Sequence, residues 1–128
     1  MQIRYLIILA IVFLLQACSP PESGTSEEVV PGIPVANTVT LVDVGSTTCV
    51  PCTMMAPILE ELKQEYSGKA QVIFIDVYDE SNRDKARAFK VLAIPTQIFY
   101  DKSGREVYRH TGFMDKKTIV ERLETLLE

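Results

Sequence analysis

The sequence predicts an α/β domain: a mixed central sheet of about four strands, flanked by helices on both faces. Three observations predict it. Apolar runs of strand length alternate with amphipathic runs of helix length in the order β-α-β-α-β-β-α. The first strand–helix–strand unit needs a crossover, which implies parallel pairing. The last two strands flank Asp101-Lys102-Ser103-Gly104, a turn sequence that brings its neighbours back antiparallel.

Each element has its own signal. Residues 39–44 read VTLVDV, a short β-branched run closed by Gly45-Ser46, and are expected to be a buried strand. From Cys49 to Tyr66 the period changes. Met55, Ile58, Leu59, Leu62 and Tyr66 share one face at three- and four-residue spacing, while Glu60, Glu61, Lys63 and Gln64 take the other, and Ser67-Gly68 stops the helix. Pro57 lies inside this run and is expected to kink it. Residues 71–77, QVIFIDV, are nearly continuous in apolar character, which predicts a central strand covered on both faces. Ser81-Asn82-Arg83-Asp84 has the spacing of a capping box and opens a helix expected to reach about Lys90. Residues 96–100 and 106–109 form the hairpin. Residues 115–127 form a last amphipathic helix, with Ile119, Val120, Leu123, Leu126 and Leu127 apolar.

The amino terminus stands apart. One positive charge at Arg4 precedes ten apolar residues, Leu6 to Leu15. That run is shorter than the roughly 20 residues of a bilayer span, and it matches a secretory signal over residues 1–17. Leu15-Gln16-Ala17-Cys18 resembles the bacterial lipobox, which implies cleavage before Cys18 and lipidation of its sulfur. Ser19 is compatible with outer-membrane sorting in a Gram-negative cell. Residues 18–36 then read as the lipid anchor site and a flexible tether. They hold Pro20, Pro21, Pro31 and Pro34, four of the seven prolines, with Ser, Gly and Glu between them. Val29-Val30 or Ile33-Val35 could add an edge strand. Eighteen residues reach roughly 60 Å at full extension and average about 25 Å as a flexible chain, so the domain over residues 37–128 is expected to work close to its membrane. Loss of residues 1–17 removes Arg4, their only charge, and takes the net charge from −4 to −5. Acidic residues are spread along the chain, which argues against a nucleic-acid partner.

With Cys18 assigned to lipid, Cys49 and Cys52 are the remaining thiols, spaced C-x-x-C. A c-type haem needs His directly after the second cysteine, and residue 53 is Thr. A closed zinc site needs four ligands, and His110 is the chain's sole histidine. A structural disulfide across so short a loop removes little chain entropy. A redox dithiol fits best, because the pair follows a strand and opens a helix. There Cys49 gains a lowered pKa from the free N–H groups and dipole. Cys52, one turn in, is the resolving thiol. Pro51 suits a first helical turn.

VDVGSTTCVPCTMMAPILEEL, FIDV, AIPTQIFYDKSGREV and the glycine in HTGFMDK stand in an order that resembles the thioredoxin family, from about Thr38 to Leu127. The resemblance implies a thioredoxin-like fold, with a redox-active Cys49–Cys52 disulfide and no further cofactor or metal. It makes Asp43, six residues before Cys49, the buried acid that exchanges a proton with Cys52. Ile94-Pro95 matches the family's cis-proline loop, whose residue before the proline pairs its backbone with substrate. Gly112 belongs to the neighbouring substrate-binding loop, and Val50 and Pro51 complete the contact surface. Phe113 and Met114 fit either that surface or the core. His110 is expected at the surface, and Met54 and Met55 on the helix and in the core. The chain departs from the family at Thr48, where many members have Trp, at Val50, where Gly is common, and at Val72, which replaces a frequent lysine. The family's first strand and helix have no clear counterpart.

These readings make the chain a thiol–disulfide oxidoreductase on the extracytoplasmic, periplasmic face of a bacterial envelope, anchored by lipid. Oxidising members of the family it resembles often carry a His within the C-x-x-C; none lies here, so the resemblance implies a reductant over an oxidase or isomerase. The resemblance implies a membrane-embedded thiol reductase of the cytochrome c biogenesis type as electron donor. Disulfide-containing envelope proteins, apocytochrome c among them, are the implied substrates. A non-catalytic module that grips extended chains by strand addition is the alternative from another class.

Overall fold

The computed structural model describes residues 30–128. The signal segment, Cys18 and the tether up to residue 29 lie outside the described residues. Seven principal elements follow Val30: strand β1 (Val39–Gly45), helix α1 (Val50–Glu65), strand β2 (Ala70–Asp76), helix α2 (Arg83–Ala88), strands β3 (Thr96–Tyr100) and β4 (Glu106–Thr111), and helix α3 (Lys116–Leu127). The expected order is present in full.

The four strands form one mixed sheet in the order β2-β1-β3-β4. β1 runs parallel to β2, with Asp43 opposite Phe74, and antiparallel to β3, with Asp43 opposite Gln97. β3 and β4 form the hairpin, where Gln97 faces His110. Because side chains alternate along a strand, this register lays Phe74, Asp43, Gln97 and His110 in one row across one face of the sheet.

All seven residues of β1 are buried, so β1 is the central strand. The expectation for residues 71–77 is corrected here. β2 pairs only with β1 among the described residues and lies at the sheet edge. Its unbroken apolar character has another cause: both of its faces still meet core. Val72 and Ala70 join Met55, Leu59, Leu62, Ile119 and Leu123 under α1 and α3. Ile75 joins Val42, Val44, Ile98 and Phe89 on the α2 side. Helices thus cover both faces.

α1 carries Pro57 inside its span. Two local expectations also change. The capping signal at Ser81 is displaced: Asp79 accepts the Ser81 N–H at 2.9 Å, a 3-10 turn follows over Glu80–Asn82, and α2 starts only at Arg83 and ends at Ala88. Asp79 outcompetes the serine because a carboxylate is the stronger acceptor. No strand forms over residues 30–36, yet that part of the expected tether packs on the domain. Val30 is 4% exposed and Ile33 packs beside it in the α2-side core. Two valines and an isoleucine among prolines offer too little backbone pairing for a strand but enough apolar surface to dock. The packed chain therefore reaches back to Val30.

Candidate active site

Cys49 caps α1 with an extended backbone, and its Sγ accepts the Cys52 N–H at 3.2 Å. The two sulfurs form a disulfide, with Cα atoms 5.2 Å apart. Cys49 is half-buried, whereas Cys52, in the first turn of the helix, is buried at 3% exposure. Pro51 occupies the first turn, where no N–H is missed. Val50, between the cysteines, is 74% exposed and sets an apolar patch beside the accessible sulfur. When the bond is reduced, the helix end favours negative charge on Cys49 more than on Cys52.

Asp43 lies in the middle of β1 and is fully buried. Burial pushes its carboxyl up to about 6, and a hydrogen bond from Gln97 works in the other direction. That bond runs from Gln97 Nε2 to Asp43 Oδ1, 2.7 Å long. Asp43 Oδ2 is also buried and has no partner among the described residues. Gly45 explains where that oxygen faces. A methyl group placed on Gly45 would lie 3.4 Å from Asp43 Oδ2, 3.4 Å from Cys52 Sγ and 3.1 Å from Phe74 Cε2. The missing side chain leaves a narrow space that both the carboxylate and the second sulfur border. A cavity of about 270 Å³ is lined by Cys52 together with Thr53, Ala56, Leu59 and Phe74 among others.

The Ile94–Pro95 bond is cis. The Gly112 N–H donates to the Pro95 carbonyl at 2.8 Å, so the two loops expected to bind substrate are joined to each other. Gly112 has φ +106°, a conformation that glycine adopts freely. Thr96 ties the loop down: its Oγ1 lies 2.7 Å from the Ala93 carbonyl and 3.1 Å from Thr111 Oγ1. Phe113 is 40% exposed, while Met114 is buried with its N–H on Met55 Sδ at 3.4 Å. The pair therefore divides, one to the surface and one to the core. His110 is half-buried, with Nε2 3.3 Å from the Phe113 carbonyl.

Of the expected site residues, the structure joins Cys49 to Cys52, places Asp43 beside Cys52 across Gly45, and joins Pro95 to Gly112. Cys18 lies outside the described residues. No group of three or more His, Cys, Asp or Glu able to hold a metal ion occurs among the described residues, and no described helix is long and apolar enough to cross a membrane. Sequence reading passed over Gly45 and Gln97. A glutamine within the buried strand TQIFY is the signal that could have found the second.

Comparison with known proteins agrees with this geometry. A sequence model of the family described as Thioredoxin matches residues 26–125. The chain belongs to the thioredoxin family. It is similar to the thioredoxin of Staphylococcus saprophyticus, 43% identical over 86 residues, which cover 67% of this chain and 80% of that one. The thioredoxin of Staphylococcus aureus is 41% identical over 90 residues, covering 70% and 84%. Among solved structures, the exposed lipoprotein thioredoxin of Streptococcus pneumoniae shares the fold, with a TM-score of 0.59 at 22% identity, over 70% of this chain and 86% of that one. This thioredoxin-family protein is thus a thiol–disulfide oxidoreductase whose redox group, Cys49–Cys52, is part of the chain itself.

Proposed function

We propose that this thioredoxin-family protein is tethered to the bacterial envelope through Cys18 and reduces disulfides of envelope proteins on the extracytoplasmic side. The observation that carries the chemistry is the pairing of a half-exposed Cys49 at a helix N-terminus with a buried Cys52 beside an unpartnered carboxylate oxygen. Cys18 behind a signal-like segment supports the tethering. The structurally similar pneumococcal protein is described as an exposed lipoprotein, which is in keeping with such a location.

In the reduced protein the Cys49 thiolate attacks one sulfur of a substrate disulfide. The second substrate sulfur leaves as thiolate and takes a proton. Cys49 is then held in a mixed disulfide. Asp43 accepts the proton of Cys52 through the space at Gly45. The Cys52 thiolate attacks Cys49 Sγ, the bond to substrate breaks, and the substrate sulfur that Cys49 had attacked departs as thiolate. Two electrons pass to the substrate, and the Cys49–Cys52 bond reforms. A substrate segment would run in extended form past Ile94, pairing with its backbone, against Pro95 and Gly112, with Val50 and Pro51 flanking the sulfur. A membrane-embedded thiol reductase would restore the dithiol, and the short tether would keep the two at raised local concentration.

The test is trapping in cells. Cys52→Ser should accumulate mixed disulfides between Cys49 and envelope proteins, and Cys49→Ser should not. Equal adduct patterns in the two variants would rule out the division of roles. Recovery of Cys18→Ala protein in the soluble fraction, with wild type in membranes, would support the anchor; equal partition would refute it.

A further inference from the structure

All five residues of β3 are buried, and four of them fill space that hydrocarbon or threonine fills well. Gln97 is the exception, with no exposed surface. A buried amide costs free energy unless its polar atoms are paired. Gln97 makes one hydrogen bond, from Nε2 to Asp43 Oδ1, and its Oε1 has no partner among the described residues. A methionine would occupy the same volume with no unpaired oxygen. The glutamine therefore serves Asp43 and not the packing. By occupying Oδ1 it fixes the plane of the carboxylate, which leaves Oδ2 bordering the Gly45 space that Cys52 Sγ also borders.

We infer that Gln97 is a positioning residue for the resolving step, turning Asp43 Oδ2 towards Cys52 and keeping the carboxylate ionised to receive its proton. The inference rests on the proposed role of Asp43. The proton moves from Cys52 Sγ to Asp43 Oδ2, the Cys52–Cys49 bond forms as the Cys49–substrate bond breaks, and the substrate sulfur leaves with the electron pair. Gln97 gains and loses nothing. Its donated hydrogen bond favours the charged carboxylate over the neutral acid, in agreement with the direction in which it moves the Asp43 pKa.

Around Asp43, Cys52 of α1 borders the same Gly45 space, Asp76 ends β2 opposite Gly45, and His110 lies across from Gln97 on β4. Cys49, the N-cap of α1, is joined to Cys52 by the disulfide. The charged side chains of α3 are engaged elsewhere. Lys116 pairs with Glu61 and Glu65, Lys117 with Glu121, Glu124 with Tyr66, and Arg122 lies over Tyr108. Glu60 and Lys63 of α1 pair with each other. α2 lies on the opposite face of the sheet.

The experiment loads Cys49 of the reduced protein with thionitrobenzoate as an aryl mixed disulfide and follows its release by Cys52 as a function of pH. Gln97→Met is the main variant. Its pH midpoint should rise by about one unit, the effect of one hydrogen bond to a charged acceptor. Release should then be roughly fivefold slower at pH 6 and equal to wild type above about pH 8. In an Asp43→Asn background the same substitution should change nothing. A merely structural role would slow release at every pH and would persist without Asp43. Either that result or superimposable profiles overturns the inference. If Asp43→Asn itself leaves the profile of otherwise wild-type protein unchanged, the reading beneath the inference falls with it. Should Gln97→Met fail to fold, NMR of the wild type decides. The Gln97 side-chain amide resonances should titrate with the Asp43 carboxyl, and resonances indifferent to that titration would overturn the assignment.

Discussion

Replacing Asp43 by Asn should stabilise the oxidised protein at neutral pH while impairing it as an enzyme. Asn is of nearly the same size and can still accept the Gln97 N–H, so packing and hydrogen bonding survive. What changes is the buried charge. Asp43 titrates at about 6 in the folded chain against an ordinary 3.8, chiefly because burial penalises the carboxylate. At about 1.4 kcal/mol per pH unit the gap amounts to roughly 3 kcal/mol. The sign follows from proton counting. Between pH 4 and 6 the folded state holds a proton that the unfolded state has lost, so stability falls as pH rises through this window. Above about pH 6.5 the penalty is fully present; below about pH 3, well under the ordinary 3.8, both states are protonated and it is gone. Urea unfolding of oxidised wild type and Asp43→Asn from pH 3 to 8 measures the difference directly. The two should agree near pH 3 and diverge to about 3 kcal/mol at pH 7.5, a shift of roughly 12 °C or more in Tm for a domain of this size. Parallel curves over the whole range would refute the claim that Asp43 is a buried, displaced acid.

Gly45→Val should crowd Phe74, Asp43 and Cys52, costing about 1–3 kcal/mol by overpacking, and should slow mixed-disulfide resolution; unchanged stability and unchanged thionitrobenzoate release would show that the space is not used. Deleting residues 30–36 should cost about 2–4 kcal/mol in urea unfolding, from the apolar surface of Val30 and Ile33. Leu41→Ala, in the fully buried centre of β1, should cost about 2–5 kcal/mol with little change in the pH profile of exchange.

Much of the fold was legible because its signals are local. The period change at Cys49, the Ser67-Gly68 stop and the Asp101–Gly104 turn each depend on neighbours in sequence. The position of a strand within the sheet does not. Residues 71–77 read as central because apolar character reports covered faces, whereas edge or centre is decided by backbone pairing, which leaves no mark on side chains. The helix start near Ser81 was misjudged because two acceptors, Asp79 and Ser81, competed within three residues, and the choice depends on backbone geometry. Val30 and Ile33 were assigned to a tether on the strength of the prolines around them, although single apolar residues can dock where a core offers space. At the site, the cysteines, Asp43, Pro95 and Gly112 stood out as motifs. Gln97 and Gly45 did not, because their importance arises only when β3 and β1 come into register and the side chain that Gly45 lacks would meet Cys52.

The most direct test of the account is the standard reduction potential of Cys49–Cys52, measured by equilibration with a dithiothreitol redox buffer and thiol alkylation. A reductant of this family should lie between about −220 and −290 mV. A value well below about −300 mV would mark an inert structural bond, and one near −120 mV would mark an oxidant. Either would contradict the function proposed for this protein.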